Sequence, residues 1–346
     1  MSSETSGKTS IVSVIRYCAA SVRLLLSMLI YVIMLIFDFV VRILGLILVF
    51  LAAALLSYHP YCFFAYVIPA FPSYNIALLY LAAPFGMFFY LNAVYNYWKA
   101  LTVPAGSPPL ADEVLEGGHE VADDRLGFIA GNNMAMRMSR SQTVSENVLA
   151  EFAPMDVCGK CKRVRPPRTH HCSVCGVCIL KMDHHCPWLG PRQCVGFGNY
   201  RFFVAFLVHL TIACVFGAIS FGFALFNPED SRAYFLAESP VLLPFVLCLT
   251  LSFAVGGLGA MHLYLVARNT TTIENHGSTP RRGNRTRGVL NSNTYDLGWK
   301  RNFKQVFGDS NFWSGLWLLT WYSDFQPGDG MHFPTTGIST PDRFNE

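Results

Sequence analysis

Four apolar stretches, each long enough to cross a bilayer as a helix, constrain this chain more than any other feature. They run from Ile43 to Tyr66, Ile76 to Tyr97, Phe202 to Phe226 and Val241 to Val266. A hydrocarbon core needs ~20 apolar residues in helical form. Only 14% of the chain is charged, against about 25% in soluble domains, and mean hydropathy is +0.35. No alternating strand pattern recurs, so helices are the expected spanning elements. A fifth apolar run, Leu24–Val41, holds Asp38 and is flanked by Arg23 and Arg42. It reads as an interfacial helix leading into the first span, with an extra span as the alternative.

The positive charges set the expected orientation. Lys and Arg fall before residue 43, between spans two and three, and after span four; Arg232 is the single exception. By the positive-inside rule these three segments face the cytosol. The expected layout is a cytosolic N-terminus with interfacial helix (1–42), spans one and two (43–98), and a flexible cytosolic linker (99–156). A cysteine-rich domain (157–201), spans three and four (202–267) and a cytosolic tail (268–346) follow. The expected fold class is therefore an all-α polytopic membrane protein. It has four transmembrane helices and a small cytosolic zinc-bound cysteine-rich domain between helices two and three.

Segment 157–201 is too poor in aliphatic residues to form an ordinary core, so something else must hold it together. Seven of the eleven cysteines lie between Cys158 and Cys194. They read Cys158-x2-Cys161, His170-His171-Cys172-x2-Cys175-x2-Cys178, Asp183-His184-His185-Cys186 and Cys194. Short Cys-x2-Cys spacings interleaved with His signal zinc, and a cytosolic disulfide framework is not expected. Two tetrahedral sites of three Cys and one His would use six Cys and two His. One Cys and two His are left without a structural task. His184 stands between Asp183 and Cys186, and an Asp-His-Cys set is what an activated thiol requires: a carboxylate to orient the imidazole, and an imidazole to take the thiol proton. Spacing alone leaves open a pure binding module with every Cys on metal.

Asp183-His184-His185-Cys186-Pro187-Trp188 resembles the name-giving motif of the DHHC protein S-acyltransferases. Thr271-Thr272-Ile273-Glu274 is similar to that family's Thr-Thr-x-Glu, and Tyr295-x2-Gly298-x3-Asn302-x3-Val306-Phe307-Gly308 to its C-terminal motif. Thr102–Pro109 resembles its Asp-Pro-Gly element without the Asp. The resemblance covers about residues 40–310. It implies one zinc on Cys158, Cys161, His171 and Cys178, and a second on Cys172, Cys175, His185 and Cys194. It implies Cys186 as nucleophile, His184 as its base and Asp183 as the orienting carboxylate. Thr272 would support Asp183, and Asn302 would cap backbone near the site. One departure stands out. Where the family has Pro-Trp-x-Asn-Asn-Cys, this chain has Pro187-Trp188-Leu189-Gly190-Pro191-Arg192-Gln193-Cys194, two residues longer and lacking both Asn. A loop absorbs two residues at small entropic cost; metal geometry is less forgiving at Cys194.

The expected reaction is transfer of a long-chain acyl group from acyl-CoA, through a Cys186 thioester, to membrane-proximal cysteines of substrate proteins. Arg165, Arg168 and His170 are candidate contacts for the CoA phosphates, with a solvated basic face near anionic lipids as the alternative. The expected cofactors are two structural zinc ions, with acyl-CoA as co-substrate. The lipid bilayer is the expected partner surface; no nucleic acid is expected. By resemblance the address is the endoplasmic reticulum or Golgi. Two other function classes compete: a catalytically inactive membrane-tethered zinc interaction module, and a small-ion transporter. Transport sits poorly with spans whose clearest ionisable residues are His209 and His262 alone.

Overall fold

The computed structural model describes residues 4–68, 76–111, 156–226, 240–277, 293–308 and 328–336. Three helices among them are long and apolar enough to cross a membrane, over Leu25–Val67, Tyr200–Phe226 and Leu242–Ala267. In chain order the helices are α1 (Glu4–Cys62), α2 (Ile76–Thr102), α3 (Tyr200–Phe226), α4 (Leu242–Ala267), α5 (Thr272–Gly277) and α6 (Trp299–Phe307). Helix α2 covers the second expected span, and α3 and α4 cover the third and fourth to within two residues. Most of the expected linker, residues 112–155, lies outside the described residues.

The N-terminal region differs from expectation. No break separates an interfacial helix from a first span: α1 runs through 59 residues to Cys62. At 1.5 Å per residue that is roughly 90 Å, about three times the hydrocarbon thickness. The polar break at 38–42 is neutralised within the helix, where Arg42 pairs with Asp38 one turn earlier. Between Lys8 and Leu44 neither a Gly nor a Pro interrupts α1, so nothing local forces a bend there. Near its end Pro60 removes a backbone donor, and the helix passes into a π-helical turn at Phe63–Val67.

Helix α3 packs against both α2 and α4. Close approach comes from small residues. A Cβ on Gly86 of α2 would sit 2.2 Å from the Phe216 ring of α3, and one on Gly217 of α3 would sit 2.7 Å from Cys248 Sγ of α4. Lipid supplies no hydrophobic drive between helices, so such van der Waals fit carries the association.

The cysteine-rich domain consists of three two-stranded antiparallel hairpins. They pair β1 (Asp156–Val157) with β2 (Val164–Arg165), β3 (His170–Cys172) with β4 (Val177–Ile179), and β5 (His184–His185) with β6 (Cys194–Val195). Isolated two-stranded hairpins are marginal in water, so cross-links between them are required. The first residues assigned to the linker are instead built into this domain. Leu180 N donates to Gly106 O (3.1 Å), Gly198 N to Ala105 O (2.9 Å) and Ala111 N to Lys162 O (3.0 Å).

The two-residue extension after Trp188 is absorbed as a surface bulge. Pro187–Leu189 forms a 3-10 turn closed by Gly190 at φ 123°, a conformation that favours glycine. The bulge lies on α1, where a Cβ on Gly45 would come within 2.8 Å of the Pro191 backbone. Gly45→Ala should therefore destabilise the protein by about 1–3 kcal/mol, read as a lower thermal midpoint in detergent. Gly257→Ala should not, because no atom lies within 4 Å of a Cβ there.

Candidate active site and metal centres

The hairpins bring the sulfur and imidazole groups together in two sets of four: Cys158, Cys161, His171 and Cys178, and Cys172, Cys175, His185 and Cys194. Within each set all ligand atoms lie within 4.8 Å of one another. Both sets are knit by register. His171 faces Cys178 across β3–β4, and His185 faces Cys194 across β5–β6. In the second set, His185 Nδ1 lies 3.8, 3.4 and 3.6 Å from the sulfurs of Cys172, Cys175 and Cys194, and Cys175 Sγ is 3.4 Å from Cys194 Sγ. In the first set, Cys161 and Cys178 sulfurs are 3.6 Å apart, and Cys158 Sγ is 3.7 Å from His171 Nδ1. A tetrahedron with metal–sulfur bonds of about 2.3 Å has sulfur–sulfur edges near ~3.8 Å. The donor set and these spacings both fit zinc. The bulge at 190–193 leaves Cys194 within this ligand-to-ligand range.

Of the seven cysteines between 158 and 194, Cys186 alone stands outside both sets. Its backbone is extended (φ −120°, ψ 100°) at the end of β5. Its side chain is buried in an apolar cluster with Tyr97, Leu189, Val195 and Phe203, which extends to Ala52 and Leu56 of α1. The sulfur thus lies where the domain meets the helices. Tyr97 OH donates to Trp188 O at 2.8 Å and braces the turn that follows Cys186.

Asp183 and His184 are hydrogen-bonded, with Cys186 beside them. His184 Nδ1 donates to Asp183 Oδ2 at 2.7 Å, and Cys186 lies close enough to the imidazole to act on its pKa. Burial acts to lower the His184 pKa, but the bond to Asp183, the nearby Cys186 and the carboxylate charge overcome it and raise the value to about 9. The Asp183 side chain is only 1% exposed, and Thr272 supplies two donors to it. The backbone N–H reaches Oδ1 and the hydroxyl reaches Oδ2, both at 2.8 Å. Burial pushes the Asp183 pKa up, yet the bonds from His184 and Thr272 hold it below the ordinary carboxylate value. The His184 ring is flanked by Phe203 and His262, with centroids at 5.1 and 5.9 Å.

Asn302 sits on α6, fully buried. Its Nδ2 donates to Ala267 O at the end of α4 (2.7 Å) and to Asp296 Oδ1 (2.8 Å), and its Oδ1 accepts from Leu297 N (3.0 Å). It closes carbonyl and amide groups that the helix ends leave open.

The three candidate CoA contacts separate. Arg165 is exposed on β2. His170 is half-buried, and burial followed by the Arg165 charge lowers its pKa. Arg168 does not serve as expected, because its side chain is 1% exposed and internally committed. Nε and Nη2 donate to the two Glu274 oxygens at 2.7 and 2.8 Å, and Nη1 and Nη2 reach Asn269 Oδ1 and O at 3.0 Å. A guanidinium with four such bonds in the interior is a structural tie and offers no open face for a phosphate.

Two participants escaped the sequence reading. Lys181 is buried near Asp183 and Arg168; burial, then the Arg168 charge, lowers its pKa to about 7. Gln193, inside the divergent loop, donates from Nε2 towards Ala100 O, Leu101 O and Val103 O at 3.1, 3.3 and 2.9 Å. It caps the end of α2. The missing Asn residues were the only signal there, and they gave no hint of the replacement.

Comparison with known proteins places this geometry. The sequence model for the DHHC palmitoyltransferase domain matches residues 151–278. Palmitoyltransferase ZDHHC15 of Xenopus laevis is 32% identical over 250 residues, covering 71% of this chain and 69% of that protein. Palmitoyltransferase ZDHHC2 of Rattus norvegicus is 31% identical, the match spanning 70% of this chain and 63% of the rat protein. Palmitoyltransferase ZDHHC15 of Homo sapiens is 31% identical over 85% of this chain and 82% of its own length. With this similarity extending well beyond the cysteine-rich segment, the chain belongs to the DHHC palmitoyltransferase family.

Proposed function

We infer that this chain is a protein S-acyltransferase that moves a long-chain fatty acyl group from acyl-CoA through a Cys186 thioester to cysteines of substrate proteins. One observation carries the reading. Cys186 is the sulfur left over by both ligand sets, and it stands beside an imidazole, His184, that Asp183 orients. An inactive zinc module would have no use for that arrangement.

The Cys186 proton rests on His184, and the thiolate of this ion pair attacks the carbonyl carbon of the acyl-CoA thioester. The C–S bond to CoA breaks, and the departing CoA thiolate recovers the proton from His184. His184, now neutral, takes the proton of a substrate-protein thiol, whose thiolate attacks the Cys186 thioester and releases the Cys186 thiolate beside the imidazolium. Each step exchanges one thioester for another, so catalysis rests on positioning and on stabilising the thiolate. The imidazolium, favoured by its raised pKa, supplies that stabilisation. Thr272 holds Asp183 in place for it.

Zinc on the two four-residue sets would cross-link the hairpins and do no chemistry, since closed sites have no open position for water. Arg165 and His170 remain the proposed contacts for CoA phosphates. The apolar cluster around Cys186 would receive the start of the acyl chain. In the membrane, the part of α1 from residue 43 onward together with α2, α3 and α4 gives four spans. The Lys and Arg distribution supports a cytosolic cysteine-rich domain and cytosolic termini, and the family resemblance supports an endoplasmic reticulum or Golgi address. The proposed protein substrates carry membrane-proximal cysteines.

Purified protein incubated with an alkyne-tagged acyl-CoA should acquire a hydroxylamine-sensitive label, and Cys186→Ser should not; equal labelling of both rejects Cys186 as nucleophile. Asp183→Asn should slow acyl-enzyme formation by about 100-fold or more. It should also alter the pH profile. With Asp183 present, His184 stays protonated up to about pH 9. Removing the carboxylate lowers that pKa, so the alkaline limb of the single-turnover rate should move to lower pH. Metal analysis should give two zinc ions per chain and one in Cys194→Ser, with strong chelators abolishing both labelling and cooperative unfolding.

A further inference from the structure

Residues 328–336 come from the tail beyond the resembling region, yet they dock against the cysteine-rich domain. The segment folds on itself around Asp329, whose Oδ1 accepts from Met331 N and His332 N at 2.8 and 2.9 Å. It is tied down where Thr336 N donates to Thr294 O at 2.7 Å. It also lies very close to the domain, since a Cβ on Gly330 (φ 75°) would fall 2.7 Å from the Phe197 ring. This contact delivers one aromatic ring, Phe333, to a specific place. The Arg168 guanidinium carbon is 5.1 Å from the Phe333 centroid and 4.5 Å from that of Tyr295. The two rings meet edge to face, 6.1 Å apart at 80°. Lys181 Nζ lies 5.6 Å from the same Phe333 ring.

The placement matters because of what Arg168 holds. It grips both Glu274 oxygens. Glu274 Oε2 in turn accepts from Thr271 N at 2.8 Å, and Thr271 Oγ1 accepts from Glu274 N at 3.2 Å. That closed turn sets the next residue, Thr272, whose two donors fix Asp183. A buried guanidinium satisfies its edge with hydrogen bonds, but its faces need a partner that suits a cation, and aromatic rings provide one.

We propose that Phe333 is a positioning residue for acyl transfer. With Tyr295 it holds the Arg168 guanidinium, and through Glu274 and the Thr271–Thr272 turn it sets the carboxylate that orients His184. The proposal rests on the acyltransferase reading and adds a tail residue to it. The test uses the full chain in detergent and follows single-turnover acyl-enzyme formation against acyl-CoA concentration, with zinc content measured in parallel. Phe333→Leu should lower the maximal rate about tenfold, the scale of a desolvated cation–π contact, while half-saturation and zinc content stay as in the unsubstituted chain. Phe333→Tyr and Phe333→Trp should retain most of the rate, because they keep a π face. Arg168→Lys should lose rate similarly, and the double variant Phe333→Leu/Arg168→Lys should be no slower than the worse single one. Leu matching Tyr, a loss confined to half-saturation, a loss that tracks zinc, or additive losses in the double variant would each overturn the role. If Phe333→Leu does not fold, Tyr and Trp set against Arg168→Lys decide it: a slow Tyr variant overturns it. Failure of the unsubstituted chain to form a Cys186 thioester would instead defeat the acyltransferase reading itself.

Discussion

A carboxylate cannot be buried without partners, and the site is organised around one that is. Asp183 is almost wholly removed from solvent and receives Thr272 from one side and His184 from the other. Thr272 lies after α4, and Asp183 lies before α3. The bonds that keep Asp183 ionised therefore require the cysteine-rich domain and the segment leaving the last long helix to meet. Until they do, the His184 imidazole lacks the anchor that the proposed mechanism needs. The two ligand sets serve the same end by local means, stiffening hairpins too short to stand alone so that β5 presents Asp183, His184 and Cys186 as a unit.

Polar groups in the interior are matched by partners from distant segments. Arg168 meets Glu274 and Asn269, and Asn269, at positive φ (47°), continues to Tyr295 O and Gln305. Asn302 ties α6 to the end of α4. Each removes a penalty that burial would otherwise impose, and together they bind 268–277 and 293–308 to the domain. Apolar packing acts on the other side, where Cys186 and Leu189 join residues of α1, α2 and α3 in one cluster. Cys186 sits between a polar network that includes His184 and an apolar surface suited to a fatty chain.

Local spacing made much of this legible. Cys-x2-Cys pairs, the adjacent histidines and the Asp183–Cys186 run are short-range patterns, and turns of two or three residues can place such neighbours in only a few ways. The helices were legible because an apolar run of bilayer length has few alternatives. The misreadings have a common cause. Arg168 is an Arg among basic residues, and nothing nearby in sequence announces that its partners lie at Asn269 and Glu274. The Gln193 cap replaces Asn residues by reaching α2 from a longer loop, which only three-dimensional proximity reveals. The polar break at Asp38–Arg42 suggested a helix boundary, but an i, i+4 pair neutralises itself without ending a helix.

From its amino acids alone, the chain was bound to be helical and membrane-embedded, with a metal-type cysteine domain carrying one surplus sulfur. Periodicity, length and ligand arithmetic act over a few residues or over bulk hydrophobicity. Tertiary structure decided which charged groups face solvent and which are internal ties, and that Phe333 from the distant tail lies on Arg168. Those outcomes depend on contacts between segments tens to hundreds of residues apart, where the free energy of burying a charge is settled by its neighbours in space.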